Sequence, residues 1–213
     1  MRSSPLTTLA LSACAIVAPL ALVTTAPVAA YAQVQRDAEA ESFVNTEASR
    51  ALKILGNGNP AAEKQAFHTF VDEVADVPRI TNFVLGKYSR SLSPAQYAEF
   101  AQVFRTYADS VYEGRLGDYH GERLEVLSSA VRKPGDVVVT SRVSGGRIKT
   151  PVQVLWRVIR NADGKYRVVD VSLDGIWLAI TEQQDFVSTL DNNHGDINVL
   201  IRQLRSQLAA GKR

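Results

Sequence analysis

Residues 93–112 constrain the fold most, because they encode one helix whose buried side is rich in aromatic rings. Successive residues lie about 100° apart around a helix, which gathers the rings on one side. They belong to Tyr97, Phe100, Phe104, Tyr107 and Tyr112. The opposite side is polar and comprises Glu99, Gln102, Arg105, Thr106 and Asp109. The pattern predicts an amphipathic helix, whose aromatic side is either part of an ordinary core or the wall of an apolar ligand cavity.

Three residues mark the start of this helix. Ser93 is the expected N-cap, and Pro94 suits the first helical position because its missing N–H needs no partner there. Gln96 completes a Ser-x-x-Gln capping box, in which each side chain bonds the other residue's backbone N–H. We therefore expect the helix to begin at Pro94.

The first 32 residues resemble a cleaved signal peptide. Arg2 is followed by an apolar run and then by an A-x-A site at 30–32. This order predicts export, with cleavage before Gln33. The alternatives are a lipoprotein anchored through Cys14 and an uncleaved anchor helix. The apolar run that continues beyond Cys14 argues against the first, and Pro19 and Pro27 argue against the second.

Removal of residues 1–32 leaves 33–213, which is long enough for a single domain with its own core. The full chain has 24 Lys and Arg against 22 Asp and Glu and contains no long basic run, so we expect no nucleic-acid partner. The only cysteine, Cys14, lies in the predicted signal peptide. The domain is therefore expected to have neither a disulfide nor a cysteine metal site.

Three helical patterns precede the aromatic helix. The first covers about 43–55 and is stopped by a segment rich in Gly and Asn. The second begins behind Asn59 and Pro60. A shorter helix is predicted over 78–85, with Asp76 as its N-cap and Gly86 as its C-terminal stop.

From Arg123 onward the periodicity is that of strands. Strands are predicted over 123–131, 137–143, 152–160 and 166–173, with Gly-containing turns between them. A helix over 176–190 and another capped by Asp196 follow. The fold class is therefore α+β, with N-terminal helices packed on a curved four-stranded antiparallel sheet and with C-terminal helices.

The sequence contains no recognisable catalytic or metal-binding motif. His68 is predicted on a polar helical face, while His120 and His194 lie in Gly-rich loops, so all three are expected to be solvated. Asp170 is the best single candidate for an acid or base. A structural Asp that pairs with an Arg or a backbone amide is the favoured interpretation, and neither a metal nor a cofactor is expected.

Two segments resemble a known signature. Residues 82–88 read NFVLGKY and residues 92–100 read LSPAQYAEF, which is similar to the MlaC-type family of periplasmic phospholipid carriers, also called the toluene-tolerance auxiliary family. The strand pair at 156–158 and 166–175 and the last helix keep that family's order. The resemblance covers roughly 40–208, and 175–193 is more similar to the family's hopanoid-biosynthesis-associated branch.

The resemblance implies an NTF2-like cone with an apolar cavity between helices and sheet. It further implies a soluble periplasmic carrier, not an enzyme, that shuttles phospholipid or hopanoid between the inner and outer membranes within an ABC-type or related transport system. An inner-membrane transporter complex and an outer-membrane donor or acceptor complex are the implied partners. The wall residues would be Leu85, Tyr88, Phe100, Phe104, Tyr107, Val154, Trp156, Val169, Val171, Ile176 and Trp177.

Two other classes of function stay open. An NTF2-like enzyme of the isomerase or dehydratase type would use Asp170 as a base and Tyr107 as a hydrogen-bond donor around a polycyclic substrate. An exported interaction module would dock a membrane complex without a ligand. Within the hopanoid branch, Ile176 and Trp177 stand where the family commonly has a small Ser, which predicts a flat apolar surface at the cavity mouth.

Overall fold

The computed structural model describes residues 35–55, 59–116 and 121–211, with side chains except at 60 and 112–116. These ranges belong to one compact unit, Val34–Arg213. The predicted signal peptide, Cys14 and the side chain of Tyr112 lie outside the described residues.

Helices form both ends of the described chain. The α-helices are α1 (Ala38–Leu55), α2 (Pro60–Val74), α3 (Val77–Leu85), α4 (Pro94–Leu116), α5 (Leu178–Asn192) and α6 (Ile197–Ala210). A 3-10 helix, Gly86–Arg90, follows α3. None of the helices in the described ranges is long and apolar enough to span a bilayer.

The helix starts and stops follow the local sequence signals. The Ser93 N–H donates to Gln96 Oε1 at 2.9 Å and the Gln96 N–H donates to Ser93 Oγ at 3.3 Å, which confirms the capping box of α4. Asp76 caps α3 by accepting from the Arg79 N–H. Gly86 ends α3 with φ of 53°, where a Cβ would lie 2.9 Å from Val187 Cγ2, so glycine is required there.

One antiparallel sheet lies between the two groups of helices in sequence. Its strands are β1 (Glu122–Lys133), β2 (Asp136–Gly145), β3 (Ile148–Arg160), β4 (Tyr166–Leu173) and β5 (Ile176–Trp177), and they are neighbours in that order. The four predicted strands are confirmed as a meander. The fifth strand was not predicted: Ile176 and Trp177 pair with the end of β4, and α5 begins only at Leu178.

The described buried residues form two separate cores. The helical core joins α3, α4, α5 and α6 and includes Phe100, Phe104 and Phe186. The sheet core joins α1 and α2 to the sheet through Val44, Val74 and the fully buried valines of β2 and β3. The aromatic helix therefore packs in the helical core.

The prediction that the far side of α4 faces water is wrong for Asp109. Its side chain is buried, accepts His68 Nδ1 at 2.9 Å and pairs with Arg105 Nε at 3.0 Å. Arg105 also contacts α2 through Asp72 and the His68 carbonyl oxygen. His68 is consequently part of a helix-to-helix ion-pair network, which corrects the expectation of a solvated ring.

Residues 35–37 form a strap along the outer edge of β1. The Val131 N–H donates to the Gln35 carbonyl at 3.0 Å, and the Asp37 N–H donates to Ser129 Oγ at 2.7 Å. Asp37 then caps α1 through the Ala40 N–H and accepts the Tyr166 hydroxyl at 2.6 Å. The strap ties the first helix to the sheet.

Candidate functional site

The strand register places one continuous face of apolar side chains on the sheet, because cross-strand partners share a face and alternate residues point the same way. Four cross-strand rows make up this apolar face. They are Leu124 with Val143 and Val152; Val126 with Ser141, Val154, Leu173 and Ile176; Ser129 with Val139, Trp156 and Val171; and Val131 with Val137, Val158 and Val168.

The last two rows form the closed end of the apolar face. Val137, Val139 and Val158 are fully buried, and they pack with Ala40 and Val44 of α1 in the sheet core. Burial of each such side chain contributes roughly 1.5–3 kcal/mol to folding. Protein atoms therefore fill this end.

The first two rows form the open end. Leu124, Val143 and Val152 are only half-buried, and Ile176 is 60% exposed. Apart from Val126, which borders the sheet core, no open-end side chain belongs to either core of the described residues. Ser141 and Val154 of the second row are nevertheless buried, so the part of the open end that lacks protein partners is the first row together with Ile176.

A groove of about 470 Å³ between α1 and β1 leads onto the open end. Its sheet side presents Leu124 and Val126 together with Glu125, and its α1 side carries Ala38, Glu41, Ser42 and Asn45. The groove therefore combines apolar and polar side chains, which suits an amphiphile because each part of such a ligand meets a matching surface.

Ser141 is the polar residue in the two rows of the open end, and its hydroxyl is fully hydrogen-bonded. Its hydroxyl donates to the Val154 carbonyl oxygen at 3.1 Å and accepts the Trp156 indole N–H at 2.8 Å. Both bonds are internal, so the fully buried hydroxyl adds no unsatisfied group to the apolar face. The bond from Trp156 also holds the indole at the boundary between closed and open ends.

The structure brings four of the sequence-predicted wall residues onto this one face: Val154, Trp156, Val171 and Ile176. Val169 is buried at the bulge between β3 and β4. Trp177 pairs with Ser172, which puts it on the opposite face from Ile176. Ile176 and Trp177 therefore do not lie side by side on one face of the sheet.

Three predicted wall residues close on one another in the helical core. Leu85 and Phe100 are fully buried and Phe104 is 6% exposed. Phe104 stacks on Phe100 with centroids 5.7 Å apart, and both meet Phe186 edge-on. Here the rings pack against protein.

Tyr88 and Tyr107 use their hydroxyls in contacts with α5. The Tyr88 hydroxyl donates to Asp191 Oδ1 at 2.6 Å, beside Lys87, so this ring serves the junction between the 3-10 helix and α5. The Tyr107 hydroxyl donates to Glu182 Oε1 at 3.3 Å. Burial, then the Glu182 charge, raises the pKa of Tyr107 to about 12, and burial raises the pKa of Glu182.

Asp170 is structural, as the favoured interpretation held. Its Oδ1 accepts the backbone N–H groups of Val171 and Ala179, both at 2.8 Å, so it caps the start of α5 from β4. Burial raises the pKa of Asp170 although these hydrogen bonds oppose it. Its cross-strand neighbour Arg157 makes a two-point ion pair with buried Asp136 instead. The Tyr107 hydroxyl, which the enzyme alternative would use beside Asp170, donates to Glu182 instead.

Sequence reasoning missed Leu124, Val143 and Val152. Their alternation with polar neighbours is visible in the sequence, but which residues of β1, β2 and β3 lie opposite one another is set by the pairing of the strands. No group of three or more His, Cys, Asp or Glu within the described ranges could hold a metal ion.

The fold and face define a small α+β protein whose antiparallel sheet presents an apolar surface that is open at one end. Residues 46–206 match the family model of the MlaC protein, so the chain belongs to the MlaC family. It is 24% identical over 165 residues to the toluene tolerance protein ttg2D of Pseudomonas putida, covering 76% of this chain and 75% of that protein.

A solved structure shares the fold. The phospholipid-binding protein of Ralstonia solanacearum, determined in complex with a phospholipid, matches with a TM-score of 0.73 at 24% identity. The match covers 82% of this chain and 99% of the other. The α+β fold predicted from the sequence is thereby confirmed.

Proposed function

We propose that this protein is a lipid-binding carrier that holds the acyl chain of a phospholipid on the open end of its apolar face. The open end carries the proposal. Leu124, Val143 and Val152 are half-buried there, whereas α1 covers the closed end of the same face. Family membership and the phospholipid in the Ralstonia protein support the same ligand class.

Burial of a lipid tail supplies the driving force. Each methylene removed from water contributes about 0.8 kcal/mol, so even a few of them outweigh the cost of ordering one chain. The groove gives the tail a route from solvent to the sheet, and Ser42 and Asn45 offer polar atoms to the head group. No bond is made or broken in this function.

The positions of the predicted wall residues in the fold divide them into three groups. Of the predicted residues on the apolar face, Val154 and Ile176 lie in the second row, at the open end, and Trp156 and Val171 lie in the adjoining row of the closed end. The tail therefore meets the exposed Ile176 first and reaches the other three only beyond it. Val169, Tyr107 and Trp177 are proposed to adjoin the tail from outside that face. Leu85, Tyr88, Phe100 and Phe104 line it only if the helical core separates, because they pack within or against that core.

The proposal includes the setting predicted from the sequence. Residues 1–32 are a signal peptide removed before Gln33, and 33–213 is an NTF2-like lipid-binding domain in the periplasm. The protein shuttles lipid between an inner-membrane transporter complex and an outer-membrane complex. Intact mass of the exported protein tests the first step: a mass that starts at Gln33 supports it, and a lipidated Cys14 contradicts it.

A hopanoid is the alternative ligand, and Trp177 is the residue on which that alternative was based. Competition between a hopanoid and a phospholipid on the wild type and on Trp177→Ser decides between them. Because Trp177 lies on the opposite face from Ile176, we expect both proteins to show the same preference. A shift toward phospholipid in the variant would instead support the polycyclic ligand.

Lipid extraction from the purified protein, followed by mass spectrometry, tests the carrier function. We expect about one phospholipid per protein in the wild type and little in Val152→Trp, whose added ring fills the open end. Val138→Trp is the matched control, because Val138 lies half-buried on the other face of the same sheet. Equal lipid in both variants, with both folded, would contradict the site.

A further inference from the structure

Three exposed cations surround the turn between β2 and β3. Arg147 and Lys149 belong to the turn and the start of β3, and Arg123 lies at the adjoining start of β1, opposite Ser144. None of them forms an ion pair with any residue that the structure describes. We call Arg123, Arg147 and Lys149 the basic tip.

The basic tip is held rigidly. The Arg147 N–H donates to Glu122 Oε1 at 3.2 Å, and Glu122 is only 8% exposed. Gly146 has φ of 55°, and a Cβ at this position would overlap the Glu122 carboxylate, so only glycine fits. The buried carboxylate therefore fixes the turn and leaves the three cationic side chains in solvent.

The tip stands at the open end of the apolar face. Arg123 directly precedes Leu124 of the first row, and Lys149 is three residues, about 10 Å along a strand, from Val152 of the same row. At the closed end Arg157 pairs with Asp136 and Arg160 with Glu39, while exposed Arg132, Lys133 and Lys165 have no ion pair among the described residues. The basic tip differs from that second group of cations in its place, because it adjoins the half-buried first row of the apolar face.

We propose that the basic tip docks the protein on an anionic lipid bilayer, so that the open end of the apolar face meets the membrane surface. The inference rests on the proposed function, since a carrier of lipid must approach a bilayer to load or release it. The closely spaced phosphates of an anionic bilayer pair with the three cations of the basic tip. The half-buried aliphatic row beside them matches the boundary below the head groups.

Co-sedimentation with vesicles tests the proposal on the whole exported protein. The vesicles contain phosphatidylcholine alone or phosphatidylcholine with phosphatidylglycerol, at low and at high salt. Each basic residue near an anionic surface increases partitioning roughly five-fold. The wild type is therefore expected to bind the anionic vesicles on the order of 100-fold better than Arg123→Gln/Arg147→Gln/Lys149→Gln, and high salt should remove the difference.

The matched control is Arg90→Gln/Lys165→Gln/Arg202→Gln. It removes the same charge from two arginines and one lysine that are exposed, lie away from the tip and have no ion pair among the described residues. This control should bind like the wild type. Equal loss in both triple variants would overturn the proposal, because it would show a response to net charge alone.

Failure of the wild type to sediment with anionic vesicles would also overturn the proposal; this result is expected if the tip binds an acidic protein instead. Lipid content of the purified tip variant separates this outcome from the proposed function. A tip variant that keeps its phospholipid but no longer sediments supports docking. A wild type without phospholipid contradicts the carrier function itself.

Discussion

The two ends of the apolar face have almost the same residues and opposite roles. Val137, Val139 and Val158 at the closed end are fully buried against α1, whereas Val143 and Val152 at the open end, on the same strands, are half-buried. The residue type therefore does not distinguish them. What differs is whether a helix covers the row, and an uncovered aliphatic row next to a groove is what an apolar ligand needs.

The largest difference between the two ends is expected when Val139→Asp is compared with Val143→Asp. The first variant buries an unpaired charge in the sheet core, which is expected to cost about 4 kcal/mol or more and to unfold the protein. The second places the charge at the open end and should cost about 1 kcal/mol while it abolishes lipid binding. Urea unfolding and extracted lipid measure the two effects. Equal destabilisation would show that the ends do not differ.

Phe104→Ala examines whether the helical core is part of the lipid site. Phe104 is 6% exposed and packs on two other rings, so its truncation is expected to cost about 3 kcal/mol. We expect the variant to keep its lipid when it is folded. Lipid lost without a matching loss of stability would instead assign this ring to the cavity wall.

Trp156→Phe tests the hydrogen bond at the boundary between the two ends. It removes the indole N–H that donates to Ser141 Oγ at 2.8 Å, and part of the ring volume. A loss of about 2 kcal/mol in the free energy of unfolding is expected. Ser141→Ala and the double variant complete a cycle in thermal or urea unfolding. Strict additivity would show that this hydrogen bond contributes nothing.

Glu182→Gln should have the smallest effect, and a pH-dependent one. Burial raises the pKa of Glu182 in the folded protein, so the carboxyl destabilises the fold as pH rises through that raised pKa and has no such effect below its ordinary pKa. The variant should therefore be the more stable protein at neutral pH. This advantage should vanish as the pH is lowered. A constant difference across the pH range would be the contrary result.

Local signals predicted the elements well. The caps at Asp76, Gly86 and Ser93 depend on neighbours within a few residues, and each forms as expected. The alternation of Val152, Val154, Trp156 and Val158 likewise predicted one face of β3, because strand periodicity is itself local.

The remaining features depend on partners distant in sequence. Asp109 is buried because Arg105 of α4 forms an ion pair with it and His68 of α2 contacts it. The contact with α2 cannot be read from the pattern of α4 alone. Ile176 and Trp177 extend the helical pattern of α5 in sequence, but pairing with β4 makes them a strand. Because Ile176 and Trp177 are successive residues of a strand, their side chains lie on opposite faces of the sheet.

The strap over β1 bears on edge-to-edge association of the protein. β1 is the long outer strand of the sheet, and unpaired edge groups are templates for another chain. The Gln35 carbonyl oxygen accepts the Val131 N–H, and the Asp37 N–H donates to the Ser129 side chain beside it. A chain shortened to begin after Asp37 is therefore expected to stack edge to edge into oligomers, which light scattering would detect, so the first few residues of the domain act as its guard against aggregation.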